Sequence, residues 1–110
     1  MGYDTFIWGL AEGRIETEKL MEKFEQYYGF ENIEKTDDEI IDLTIGSVRW
    51  RDFDEDMKEI SKDFPGVLFS MNGEGEERED IWRAWFKNGR GYSEYARIKY
   101  PLFDENKMEE

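Results

Sequence analysis

Residues 81–100 read IWRAWFK, then Asn88-Gly89-Arg90-Gly91, then YSEYARIKY. In IWRAWFK, Trp82, Ala84 and Phe86 share one side while Arg83, Trp85 and Lys87 share the other. A period of two is the mark of a β-strand, because successive side chains leave opposite faces of the pleat. Asn-Gly is the strongest short hairpin signal, since a type I′ turn needs positive φ at both central residues. Continued through YSEYARIKY, the alternation sets Ala96, Ile98 and Tyr100 against Tyr95, Arg97 and Lys99, with Pro101 closing the last strand. The hairpin is thus expected to offer helices one apolar face. Its other face is expected to carry Trp85 and Tyr95 among Arg83, Lys87, Arg97 and Lys99.

The remaining segments supply what would cover that apolar face. Residues 3–11 alternate, with Tyr3, Thr5 and Ile7 opposite Phe6, Trp8 and Leu10, which predicts a first strand. Thr17 is placed to cap a helix over 18–28, whose Leu20, Met21, Phe24, Tyr27 and Tyr28 form a stripe, and Gly29 falls at the C′ position. Residues 30–38 are polar and read as a loop. A second strand is expected within IIDLTIGSVRWR, with a bulge at Gly46. Asp52, with Glu55 in the capping-box position, opens a second helix whose buried stripe is Phe53, Met57, Ile60 and Phe64. Pro65-Gly66 ends it, and VLFSM at 67–71 reads as a third strand. The order β-α-β-α-β-β-β predicts an α+β, two-layer ferredoxin-like sandwich, a mostly antiparallel sheet with two helices on one face. Residues 1–105 form the single domain, and 106–110 are expected to fray.

Charge divides the chain sharply. The 110 residues hold 28 acids and 15 bases, for a net −13, yet residues 81–103 carry five bases and only Glu94 against them. Whole-chain charge selects partners at range, whereas local charge decides where they dock. The chain has neither cysteine nor histidine. That excludes thiolate chemistry, the Ser–His triad and most transition-metal sites. Carboxylates, Lys and Tyr remain, but no two carboxylates stand out as an acid–base pair, so no enzyme activity is expected. The opening MGYDTFIWGLAEG lacks a basic n-region and a long apolar run, so neither a signal peptide nor a membrane span is expected.

Asp52, Asp54, Asp56 and Asp63 match positions 1, 3, 5 and 12 of a calcium loop, but Met57 stands where that loop requires glycine. The helix stripe explains the segment better, and no cofactor or metal is expected. Glu74, Glu76, Glu77, Glu79 and Asp80 crowd into the run before the hairpin. Solubility accounts for a solvated acidic face. A sharper reading is mimicry, in which carboxylates occupy the basic groove of a nucleic-acid enzyme, with Trp85 and Tyr95 as anchors. The alternative is a single-strand nucleic-acid platform built from Arg83, Trp85, Lys87, Tyr95, Arg97 and Lys99, where rings stack bases and cations follow phosphates. The net charge disfavours it, because it repels phosphate.

Phe64-Pro65, Val67-Leu68-Phe69, Gly73-Glu74-Gly75-Glu76, Ile81-Trp82-Arg83 and Phe86-Lys87-Asn88-Gly89 carry a resemblance across residues 50–105. The segment resembles small proteins of phages, plasmids and integrated elements related to the YubB-type ferredoxin-like domain. The resemblance implies a fold and a genomic setting and supplies no catalytic residues. With it, the expectation is a non-enzymatic acidic protein in a bacterial cytoplasm, a monomer or small homo-oligomer. It would dock on a host or phage protein, such as a defence nuclease, and inhibit it.

Overall fold

A computed structural model of the chain describes residues 4–110. It is an α+β fold in which six strands form one open sheet. The strands are β1 (Thr5–Glu12), β2 (Asn32–Asp37), β3 (Ile40–Val48), β4 (Leu68–Glu74), β5 (Ile81–Lys87) and β6 (Arg90–Tyr95). Helix α1 (Thr17–Tyr27) follows β1 and α2 (Phe53–Lys62) follows β3, while Glu105–Lys107 forms one short 3₁₀ turn. The spatial order is β2-β3-β1-β4-β5-β6, and every adjacent pair is antiparallel.

The element order differs from the sequence expectation at one place. Residues 32–37, expected to be loop, form the edge strand β2. Ile33 is its only buried side chain, and β3 supplies its one ladder of hydrogen bonds. An edge strand needs no second apolar face, so its polar sequence hides it. Tyr3, placed by periodicity in the first strand, lies outside the described residues.

Alternation decides which side of the sheet becomes the core. From β1, Ile7 and Ala11 point under the helices, with Ile41 and Leu43 from β3 and Phe69 and Met71 from β4. Leu20 and Phe24 of α1 and Met57 and Ile60 of α2 close the same cluster, so both helices cover one face. Gly46 has φ 106°, and the register between β1 and β3 slips by one residue there, giving the expected bulge. Gly29 takes φ 115° and its N–H donates to Phe24 O at 2.8 Å, which ends α1 as expected.

Capping differs from expectation at both helices. Helix α1 starts at Thr17 with Glu16 at the cap position, and no side chain caps it. Asp52 does occupy the cap of α2, but its backbone sits at φ −100°, ψ 32°, and its carboxylate makes no cap bond. Asp54, Glu55 and Asp56 fill the first turn instead, where the positive end of the helix dipole favours carboxylates. Phe53–Lys62 is thus helix, as the stripe of Phe53, Met57 and Ile60 predicts, while Phe64 falls beyond its end and is only half-buried.

The β5–β6 turn is tied down from outside the sheet. Asn88 and Gly89 adopt φ 52° and 81°, the type I′ signs. Buried Ser61 accepts a hydrogen bond from Gly89 N at 2.8 Å, and Asn88 Oδ1 accepts one from Gly66 N at 3.0 Å. The end of α2 therefore fixes where the hairpin turns. Among the described residues, no helix is long and apolar enough to cross a membrane.

Candidate docking surfaces

The hairpin register settles which side chains share a face. Lys87 pairs with Arg90, so Trp85 lies opposite Tyr92, Arg83 opposite Glu94, and Trp82 opposite Tyr95. Directly opposed residues point to the same side of a sheet. Trp82, Ala84 and Phe86 face the helices as their alternation predicts, and Tyr95 goes with them. The expectation that Tyr95 joins Trp85 on the open face is therefore corrected: it is one residue out of register, and a one-residue slip moves a side chain to the opposite face. Trp85 stacks instead on Tyr92, with ring centroids 4.9 Å apart and planes 28° from parallel.

Arg97 and Lys99 are corrected as well, because β6 ends at Tyr95. Ala96 N still donates to Ile81 O at 2.8 Å. Ile81 is the first residue of β5, so beyond it the ladder has no partner strand. Of the six residues expected to form a basic aromatic platform, only Arg83, Trp85 and Lys87 share the open face. Arg83 Nε is bonded to Asn72 Oδ1 at 2.6 Å, which holds it flat along the sheet.

The acidic residues before the hairpin form the β4–β5 turn. Glu74 ends β4, and the loop closes through Gly75 N to Asp80 O at 2.7 Å and Asp80 N to Glu77 O at 3.0 Å. Glu76 accepts from Asp4 N at 2.7 Å, which ties the turn to the start of β1. Tyr95, 68% exposed, lies against this turn in a shallow depression with Glu77, Glu79 and Asp80. On its other side it lines a groove with Trp82, Ser93 and the start of α2, where Asp52, Asp54 and Glu55 outnumber the single base Arg51. An exposed ring thus stands between two sets of carboxylates from segments far apart in the chain. Asp56 does not join them, since it accepts from Trp50 Nε1 at 2.7 Å. The contribution of Asp52, Asp54 and Glu55 was missed in the sequence. Counting register outward from Asn88-Gly89 would have placed Tyr95 beside Trp82 on the helix side, but not the first turn of α2 beside it.

A second group was also missed. Phe6, Trp8 and Leu10 stand on the open face of central strand β1, with the rings of Phe6 and Trp8 5.5 Å apart. Their inward-facing counterparts Gly9 and Ala11 are small, which was the available signal that the bulk of this strand points away from the core. The largest groove, between α1 and the β2–β3 turn, mixes signs: Arg14 pairs with Glu39 at 3.6 Å and Lys19 with Glu16 at 3.5 Å. It favours no partner of one charge.

No family model, curated protein or solved structure matches the chain.

Proposed function

We propose that the chain is a non-enzymatic docking protein that presents the acidic end around Tyr95 to a basic surface of a partner protein. The observation that carries the reading is the position of Tyr95. An exposed aromatic anchor with carboxylates on two sides suits a surface rich in Arg and Lys, where the ring packs on guanidinium or alkyl stems while the acids meet the charges. The net charge of −13 would steer such a partner and make association fast and salt-sensitive. A nucleic-acid enzyme of a bacterial host fits this chemistry, because its groove is built to receive closely spaced negative charge. The YubB-type resemblance of residues 50–105 supports a mobile-element setting, in which inhibition of a host nuclease is the role. The strand order supports reading β1-α1-β2-β3-α2-β4 as a ferredoxin-like unit extended by the β5–β6 hairpin. In that unit two β-α-β crossovers interleave, as the strand order β2-β3-β1-β4 does here.

The test is capture on immobilised chain from a bacterial lysate at about 0.15 M salt, followed by elution with duplex DNA. The expected result is one basic nucleic-acid enzyme, displaced by DNA and lost with Glu79→Lys/Asp54→Lys and with Tyr95→Ala. Retention unaffected by the charge reversals would overturn the reading. So would tight binding of labelled single-stranded DNA or RNA that disappears in Trp85→Ala, which would favour the sheet face as a nucleic-acid platform.

A further inference from the structure

We propose that residues 96–103 form an arm that docks on the open sheet face of a second copy of this chain. This surface is separate from the acidic end at Tyr95.

The arm is apolar and unburied. Ile98, Tyr100, Leu102 and Phe103 are 50%, 81%, 94% and 77% exposed, four large side chains within eight residues. Burial of large apolar side chains is the main favourable term in folding and association, so leaving four in water forgoes a substantial stabilisation. Every residue from 96 to 103 is exposed and none belongs to a helix or strand, so none of them is buried against its own chain. The molecule accordingly measures 56 × 38 × 24 Å, with a radius of gyration of 16.9 Å. A compact domain of this length has a radius near 13 Å. An arm that leaves its own body in this way is positioned to reach a neighbour.

The arm and the open face are complementary. In an extended segment Ile98, Tyr100 and Leu102 fall on one edge, while Arg97 and Lys99 fall on the other. On the open face, Phe6, Trp8 and Leu10 form a central apolar row. The open-face residues of β2, β3, β1 and β4 include Glu34, Asp42, Glu12 and Glu74 and no lysine or arginine. The acidic side of the face, on β2, β3 and β1, thus suits a basic, apolar strand, whereas β5 on the same face carries Arg83 and Lys87. Each copy offers one arm and one face, so a two-fold axis satisfies both at once, as an isologous dimer requires. Eight arm residues and the face they cover approach the roughly 20 residues a side of a standard interface.

The experiment is light-scattering mass measurement of the full chain from about 1 µM to about 1 mM, spanning the range of a micromolar dimer. The expected mass rises from 13.3 kDa to twice that value. Ile98→Ser/Leu102→Ser on the arm and Leu10→Ser on the face should each weaken dimerisation at least about tenfold, or 1.4 kcal/mol. All of these positions are exposed, and an unchanged cooperative melt would show that the fold is intact. Because the chain lacks cysteine, an equal mixture of Leu10→Cys and Leu102→Cys chains reads the contact directly. A mixed disulfide dimer in excess of either homodimer is expected. A mass of 13.3 kDa throughout, or a dimer indifferent to the arm variant, overturns the proposal. Internal disulfide closure in a monomeric Leu10→Cys/Leu102→Cys double variant also overturns it, since the arm would then cover its own face.

Discussion

Ser61 Oγ accepts the Gly89 N–H at 2.8 Å and donates to Lys58 O at 2.8 Å, so a single buried hydroxyl joins the end of α2 to the turn of the β5–β6 hairpin. Ser61→Ala leaves the Gly89 donor without its partner in a site that excludes water. A loss of about 1–3 kcal/mol follows, read as a lower urea midpoint with unchanged slope. Hydrogen exchange at the Gly89 amide should accelerate in the same variant. An unaltered midpoint would show that the turn holds itself.

Gly73 lies directly opposite Trp82, and the indole covers it so closely that a methyl group there would collide with the ring. Gly73→Ala is expected to cost about 1–3 kcal/mol by overpacking. In Gly73→Ala/Trp82→Leu the two costs should sum to less than their separate values, because the smaller side chain removes the collision. Strict additivity in a double-mutant cycle would contradict this geometry.

The two tryptophans of β5 should respond differently to truncation. Trp82 faces the helices and packs on Phe53 with centroids 5.3 Å apart, whereas Trp85 stacks on exposed Tyr92 over the open face. Trp82→Ala is expected to cost about 2–3 kcal/mol, below the 3–5 typical of fully buried aromatic truncations because the ring is half-buried. Trp85→Ala should cost about 1 kcal/mol, the scale of an aromatic pair beyond its burial. Thermal melts of the two variants measure the difference, and equal losses would mean the faces are assigned wrongly.

Lys23 Nζ contacts Asp63 Oδ2 at 2.6 Å, and this hydrogen bond raises the lysine above its ordinary value of 10.5. The folded state then holds the proton more tightly than the unfolded state. The stabilisation is complete below about pH 10 and is lost as pH rises through the folded pKa. With no histidine or cysteine to titrate between, the melting temperature should stay level from about pH 6 to about pH 9 and fall in the alkaline range. Lys23→Met should flatten the first part of that fall. Its cost at neutral pH should stay near or below 1 kcal/mol, as for other partly exposed pairs.

What the sequence made legible follows from where each element sits. β1, β3, β4 and β5 have a buried side, so Ile7, Leu43, Phe69 and Phe86 imprint a period of two, and both helices show their stripes. β2 has one ladder and one buried side chain, Ile33, which leaves too little pattern to distinguish it from a loop. Tyr95 was misplaced for a different reason. The Asn88-Gly89 turn does encode its partner, Trp82, but a face assignment tolerates no error in register. The end of β6 is set by the start of β5 and the 75–80 turn across the ladder, so alternation within 92–100 carried no sign of it. The carboxylates beside Tyr95 were hidden by the same non-local cause, since Asp54 and Glu79 come to either side of the ring only once α2 and the 75–80 turn have packed at the end of the sheet.

The central strand also imposes an order of events on the ribosome. β1 precedes both of its hydrogen-bonded neighbours in the chain, β3, ending at Val48, and β4, ending at Glu74. Until Glu74 has emerged, β1 has one unpaired edge. Pairing across such sequence separations is slow, because the loops must close before any contact rewards them. The second edge of β1 therefore stays unpaired until β4 has been made, more than fifty residues after β1 itself.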